Sequence, residues 1–265
     1  MFASEHDSLY DEAESTRRLL TAVAALREAL ETLPEPSAKE YPAALTHAVT
    51  APVAALHAAY DAWAASVLIT EKRRITCSRG CSACCRHFVS SVEPYELIAL
   101  DARLKARADY ADLVLASHSR AVLYANLTNE ELARGATDEE AGDRALYRYF
   151  QRGKPCPFLA ADGACGVYDV RPMACRMFYA ESPPRYCAGK ELASPWNRNF
   201  QLELPQEVEE ALARCARLLD HLEFSEDLFP GVVAVNEAFG RYDLPDASDS
   251  GSTPDNGGGT PKATD

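Results

Sequence analysis

Residues 77–85 read Cys-Ser-Arg-Gly-Cys-Ser-Ala-Cys-Cys, so four thiols lie within nine residues. Four of the remaining five cysteines follow in one stretch, at Cys156, Cys165, Cys175 and Cys187. One face of a helix or strand cannot bury four such close thiols as small apolar side chains. At this density they either oxidise or share a metal. Metal binding is the favoured interpretation, because the rest of the chain gives no reason for crosslinks.

Length and composition argue against a disulfide framework. The chain has 265 residues, 47% of them hydrophobic, and can therefore bury a full core. The first residues, Met-Phe-Ala-Ser-Glu-His-Asp, lack the basic and apolar regions of a secretory signal. No stretch resembles the run of about 20 apolar residues that spans a membrane. We therefore expect a cytoplasmic protein with no membrane partner, in which thiols stay reduced.

The net charge of −13 argues against a nucleic-acid partner, because phosphate contacts need a basic surface. The charge is unevenly distributed: residues 71–90 carry a net +4 and residues 151–200 a net +3, which leaves −20 elsewhere. Positive charge beside thiols lowers their pKa and offsets the negative charge of a metal tetrathiolate. The alternative is a basic surface patch that binds an acidic protein partner.

The apolar periodicity predicts a mostly α protein. Residues 5–33 and a second run from Leu45 to Val67 carry apolar residues at alternating spacings of three and four. Prolines at 34 and 36 separate the two runs, which indicates an N-terminal helix hairpin. Pro52 either kinks the second helix or marks its start. The apolar faces predict ordinary core packing, with a dimer seam as the alternative.

Helical patterning resumes after the first cysteines, with Ser91 as the expected cap and Pro94 in the first turn, and continues in pieces to about residue 151. Short apolar runs on either side of Asp162-Gly163 then predict a small β-hairpin within a cysteine-rich insert. A further helix is expected from about residue 205 to 222. The predicted division is a helical hairpin over residues 1–72, a cysteine-cluster metal-binding domain with C-terminal helices over 73–244, and a disordered tail over 245–265.

The early cluster limits how its thiols are shared. Cys77, Cys81 and Cys84 can converge on one metal. Cys84 and Cys85 are neighbours whose side chains diverge, so they face different metals or one of them bridges. The missing ligands must come from the later cysteines. The number of thiols permits two four-thiolate sites or one polynuclear centre with an open coordination position.

The chain resembles the YkgJ-type cysteine-cluster family, also called the CxxCxxCC zinc- or iron-chelating domain, over about residues 75–190. The matching motifs are Cys77-x3-Cys81-x2-Cys84-Cys85, Cys156-Pro-Phe-Leu and Cys165-x-Val-Tyr168-x2-Arg171-Pro172-x2-Cys175-Arg176. The resemblance implies metal-ligand roles for Cys77, Cys81, Cys84, Cys85, Cys156, Cys165 and Cys175, with Cys187 as an eighth donor. It implies zinc or iron as the cofactor, an iron–sulfur cluster included. A related branch contains flagellin lysine N-methylases, which implies an iron-dependent protein- or peptide-modifying enzyme as the alternative function.

Two arginines near the later cysteines are predicted to contact the cofactor. Arg171 and Arg176 can donate to thiolate sulfur and so tune the centre without binding metal. The alternative for Arg171 is to cap a helix or pair with a nearby carboxylate. His87 is expected beside the site rather than in it. Cys215 lies on an apolar helical face and is expected to be a core thiol, and the other five histidines have no ligand spacing.

Two other protein classes share part of this spacing. The three-cysteine loop of radical S-adenosylmethionine enzymes matches Cys77, Cys81 and Cys84, but the helical pattern of residues 92–151 does not fit a parallel barrel. Thioredoxin-like proteins place Cys-x-x-Cys in a βαβ unit, which this sequence lacks. Zinc would close each site with four ligands, whereas iron supports redox chemistry or an open position. The sequence therefore assigns no catalytic residue and leaves the choice between a binding protein and an enzyme open.

Overall fold

Two long helices form the N-terminal part of the fold. In the computed structural model, which describes residues 12–187 and 194–239, α1 spans Glu12–Glu31 and α2 spans Tyr41–Thr70. They pack against each other through the apolar stripes that the spacing predicts, so the helix hairpin is confirmed. Residues 5–11 of the predicted first helix lie outside the described part. Pro52 lies within α2 and does not mark its start.

The expectation that no stretch of the chain resembles a membrane span was wrong for α2. By these two criteria alone, α2 is long and apolar enough to cross a membrane. In this structure one face of α2 belongs to the protein core, where Val49, Leu56 and Tyr60 are completely buried. A core helix that packs on neighbours along its length has the same apolar composition.

Three helices follow the early cysteines: α3 spans Pro94–Lys105, α4 spans Tyr110–Ala133 and α5 spans Asp138–Gln151. The expected cap of α3 was wrong, because the N-cap is Glu93, which forms a capping box with Glu96. Ser91 lies two residues earlier, with a φ of 59° in the left-handed region. Pro94 opens the helix as predicted.

The C-terminal part wraps back onto these helices. A short helix, α6, spans Met173–Arg176, and two strands, β1 at Phe178–Ala180 and β2 at Asn199–Gln201, pair antiparallel. The last helices are α7 at Gln206–Arg217, which packs on α1, and α8 at Leu228–Ala238, which packs on α3 and α4. One apolar core contains residues from α1 to α8 and so includes residues on both sides of the predicted boundary at residue 72.

The mostly α fold class with a cysteine-rich insert and a small antiparallel element is confirmed. The sheet itself joins β1 to β2, whereas the segment around Asp162 and Gly163 is a tight antiparallel turn with one bridge, between Leu159 and Cys165. The predicted tail at 245–265 lies outside the described residues.

Gly231 marks the closest approach of α8 to α3. A Cβ atom there would lie 2.5 and 2.8 Å from the Cδ atoms of Leu97 and 2.9 Å from the backbone oxygen of Ser225. Because cores are close-packed, we expect Gly231→Ala to lower the free energy of unfolding by about 1–3 kcal/mol, measured by chemical denaturation. Gly142 in α5 is the control, since its Cβ would meet only the Tyr124 hydroxyl at 3.8 Å. Gly142→Ala should stabilise by up to about 1 kcal/mol, and a loss similar to that of Gly231→Ala would contradict this packing.

Candidate metal centre

The loop that carries the first four cysteines is a series of tight turns. The amides of Cys81 and Cys85 donate to the carbonyl oxygens of Ser78 and Ser82, at 2.9 and 3.0 Å. Thr76, just before the loop, donates through its amide to the Ala180 carbonyl of β1 at 2.9 Å. The hydroxyl of Thr76 also donates to the Ser182 carbonyl at 2.6 Å. The start of the cysteine loop is therefore fixed against the small sheet.

The backbone of the hairpin turn packs directly against the backbone of this loop. Gly80 and Gly163 have φ angles of 86° and 80°, and a Cβ on Gly163 would lie 3.1 Å from the Gly80 carbonyl oxygen. Glycine permits both the left-handed backbone and the close approach. At the start of the hairpin segment, the Cys156 amide donates to the Cys85 carbonyl at 2.7 Å. These contacts bring cysteines about 75 residues apart in sequence to one place.

A third segment, the turn that contains α6, carries Cys175. Arg176 holds this turn: its Nε donates to the Arg171 carbonyl at 2.7 Å, and a second nitrogen donates to the Tyr168 carbonyl. The remaining guanidinium nitrogen pairs with Asp61 of α2 at 2.7 Å. Arg176 is 5% exposed, so its bonds to the two carbonyls are shielded from water, whereas the Asp61 side chain is 41% exposed. Arg176 therefore connects the Cys175 turn to the N-terminal hairpin.

We divide the eight cysteines between residues 77 and 187 into two sets of four, which meet at Cys84, since Cys84 also interacts with Cys85 and Cys175. We call Cys77, Cys81, Cys84 and Cys187 the loop group. Within it, both Cys77 and Cys187 lie close enough to Cys81 and Cys84 for their charges to interact. We call Cys85, Cys156, Cys165 and Cys175 the hairpin group. Within that group, the Cys156 thiol interacts in the same way with each of the other three.

Two adjoining cavities lie beside the two sets of thiols. The first, of about 460 Å³, is lined by three members of the loop group and by Tyr168 and Tyr179. The second, of about 280 Å³, is lined by all four members of the hairpin group and by an aromatic wall; we call it the aromatic cavity. Cys84, Cys85, Cys165 and Arg171 line both. Seven of the eight predicted ligand cysteines thus line one or both cavities, whereas Cys187 lines neither.

The thiols surround the cavities without converging on one point. Among residues 12–187 and 194–239, no three His, Cys, Asp or Glu side chains have the arrangement of a metal site. All nine cysteines are free. Thiols that carry protons gain nothing from close convergence, and ionised thiols repel one another, so coordination geometry is expected to form with the metal. Which of the eight thiols are ligands therefore stays a prediction.

Hydrogen bonding and burial divide the thiols by acidity. A hydrogen bond from the Cys85 thiol lowers the pKa of Cys84 to about 6, because it stabilises the thiolate. The same bond, together with burial, raises the pKa of Cys85. Burial raises the pKa of both Cys156 and Cys175 to about 12. Cys84 is therefore the thiol whose ionisation is favoured, whereas Cys85, Cys156 and Cys175 lose their protons less readily when they bind metal.

Arg171 lies between the two cavities. Burial opposes its charge, but the negative charges of Cys175, Cys84 and Cys85 raise the pKa of Arg171. Its guanidinium donates to the Cys175 carbonyl, and no Asp or Glu of the described residues lies within ion-pair distance of it. The carboxylate nearest in sequence, Asp169, pairs instead with Arg103 at 2.9 Å. The thiols are thus the groups that face Arg171, and Arg171 favours their ionised forms.

His87 and Cys215 lie where the sequence analysis expects them relative to the thiols. His87 borders the aromatic cavity, with its ring stacked on Phe150 at 4.3 Å between centroids. Burial lowers the pKa of His87. Cys215 is fully buried in α7. Its sulfur lies 3.8 Å from the Val23 carbonyl oxygen of α1, and it lines neither cavity.

The sequence did not predict one buried pair of side chains near the candidate metal centre. His57 of α2 and Glu96 of α3 are each 1% exposed, and His57 Nε2 lies 2.8 Å from Glu96 Oε1. The same oxygen accepts the Met173 amide at 2.8 Å, at the start of α6. Histidine at position 57 has no ligand spacing with the cysteines, and no signal in the sequence marks it as the partner of Glu96.

Residues 76–198 match the family model described as "CxxCxxCC: Putative zinc- or iron-chelating domain". The match confirms, over these residues, the resemblance carried by the cysteine motifs. It contains the cysteine loop, the hairpin and the Cys175 turn, and it ends just before β2. Neither a curated protein nor a solved structure matches the chain.

Proposed function

Because residues 76–198 match a zinc- or iron-chelating domain and their thiols surround two adjoining cavities, we propose that this protein binds zinc or iron at two sites. The loop group holds one metal and the hairpin group holds the other. The observation that carries this proposal is that seven of the eight thiols line two adjoining cavities, which share Cys84, Cys85 and Cys165. Four thiolates complete the coordination of one zinc ion and also suit an iron–sulfur cluster.

The charge of such a centre supports the placement of Arg171. Two tetrathiolate zinc sites would each carry two net negative charges, which are costly inside a protein unless they are compensated. Arg171 lines both cavities and faces thiols rather than carboxylates, so it offsets part of this charge. Arg176 supports the site indirectly, because it holds in place the turn that carries Arg171 and Cys175.

The proposal is tested by removing one thiol from each set. We expect Cys77→Ser to lose the metal of the loop group alone and Cys156→Ser to lose the metal of the hairpin group alone, because neither thiol belongs to the other set. Each variant of the full chain, purified without oxygen, would then hold about half of the wild-type metal by elemental analysis. Loss of all metal in both variants, or of none in either, would contradict two separate sites.

An iron-dependent protein- or peptide-modifying enzyme is the second candidate. It is supported by the aromatic cavity, which lies directly beside the hairpin group and would give a substrate side chain access to a metal there. Iron with an open coordination position supplies such chemistry, whereas zinc closed by four thiolates does not. Visible absorption of the protein purified without oxygen separates the two, since an iron–sulfur cluster is brown and zinc is colourless. We place either function in the cytoplasm, where the nine free thiols stay reduced.

A further inference from the structure

The loop between α5 and the hairpin segment, residues 152–155, carries a concentration of positive charge. Two of its four residues are basic and exposed. Arg86 reaches the loop from the cysteine-rich segment and donates to the Gly153 carbonyl at 2.6 Å. Arg120 reaches it from α4 and donates to the Pro155 carbonyl at 3.0 Å. These contacts bring four cationic side chains to one loop. We call them the basic cluster: Arg86, Arg120, Arg152 and Lys154.

The basic cluster has no carboxylate partner. Within residues 12–187 and 194–239, none of its four members forms an ion pair with an Asp or Glu. Arg152 lies near enough to Glu130 for their charges to interact, but Glu130 already pairs with Arg148 at 2.5 Å. The Nε of Arg120 is buried and has no hydrogen-bond acceptor among the described residues. The neighbouring arginine of α5 is thus neutralised, whereas the cluster is not.

Two negative features of the protein lie beside the basic cluster, and neither balances its charge. The carbonyl oxygens at the C-terminal end of α5 together carry only about half an elementary negative charge. Cys156 follows the loop and interacts with Arg120, but this thiol is negative only when it is ionised. Arg152 and Lys154 remain exposed to solvent. Four positive charges therefore face much less negative charge, and a bound anion would relieve their mutual repulsion.

We propose that the basic cluster binds the oxyanion of a small molecule, either a phosphoryl or a carboxylate group. Guanidinium groups bind both through paired, charge-assisted hydrogen bonds, and a lysine adds a point charge. The cluster lies beside the hairpin group, because Arg86 follows Cys85 and the amide of Cys156 donates to the Cys85 carbonyl at 2.7 Å. This inference goes beyond metal binding, and it holds for zinc and for iron alike.

The test is calorimetric titration of the full-length protein with inorganic phosphate and with succinate, at constant ionic strength. We expect the double variant Arg152→Gln, Lys154→Gln to bind the anion about tenfold more weakly, as the loss of one charge-assisted hydrogen bond provides. The matched control is Arg214→Gln, Arg217→Gln, which removes two exposed charges from α7 and should bind as the wild type does. Equal weakening in the two double variants, or no binding of either anion to the wild type, overturns the proposal.

The same samples identify the kind of anion and separate this inference from the proposed function. Tighter binding of phosphate assigns the site to a phosphoryl group, and tighter binding of succinate assigns it to a carboxylate. Because Arg152 and Lys154 are exposed, their double variant should keep the wild-type metal content by elemental analysis. Loss of metal in it would show that these charges serve the thiolates and would overturn the proposal. Normal metal content in a wild type that binds no anion sinks this inference alone.

Discussion

Cys84→Ser is expected to remove metal from both sites, the largest effect of any single cysteine. Cys84 interacts with Cys77 and Cys187 in the loop group, and it also contacts Cys85 and faces Cys175 in the hairpin group. The hydrogen bond from Cys85 lowers the pKa of Cys84 and so favours its thiolate, which a serine hydroxyl cannot replace. Structural zinc binding contributes on the order of 10 kcal/mol to folding in small zinc domains, so we also expect a large fall in thermal stability.

The matched control is Cys215→Ser. This thiol is fully buried between α7 and α1, so the serine hydroxyl should cost about 1–3 kcal/mol of stability. Metal content should nevertheless equal that of the wild type, because Cys215 faces neither cavity. Elemental analysis and thermal unfolding of both variants provide the measurement. Equal metal loss in the two would show that the cysteines do not divide into site and core thiols.

The features that the sequence predicts well are local ones. Helices α1 and α2 follow from apolar residues repeated at three and four positions, which depend only on near neighbours along the chain. The expected divergence of the Cys84 and Cys85 side chains was wrong, because the Cys85 thiol forms a hydrogen bond with Cys84. The resemblance to the cysteine-cluster family adds the later cysteines, and the structure brings those segments to the early loop.

The features that the sequence hides depend on distant pairing. Strand β1 pairs with β2, which begins about 20 residues later. No turn signal in the segment between the two strands specifies the register of this pairing. The closest approach of Gly80 to Gly163 is equally invisible, because each glycine alone reads as an ordinary turn residue. In the sequence, Asp61 resembles any solvent-exposed helix residue, because its partner Arg176 lies 115 positions further along the chain.

The buried pair of His57 and Glu96 is the strongest of these hidden connections. Glu96 accepts hydrogen bonds from His57 and from the Met173 amide, so it joins α2, α3 and the turn that carries Cys175. Removing one partner of a buried hydrogen bond leaves the other partner unsatisfied, which typically costs about 1–3 kcal/mol. We therefore expect Glu96→Ala to lower the free energy of unfolding by this amount and to weaken metal binding at the hairpin group.

Two comparisons isolate the cause of that loss. Glu96→Gln keeps an oxygen that can accept from the Met173 amide and from His57, so it should cost less than Glu96→Ala. Arg103→Ala breaks an ion pair with Asp169 that is 40% and 58% exposed, and should cost less than about 1 kcal/mol. Chemical denaturation of the three variants, with zinc titration of each, provides the measurement. If Glu96→Ala costs no more than Arg103→Ala, the buried pair does not hold the Cys175 turn in place.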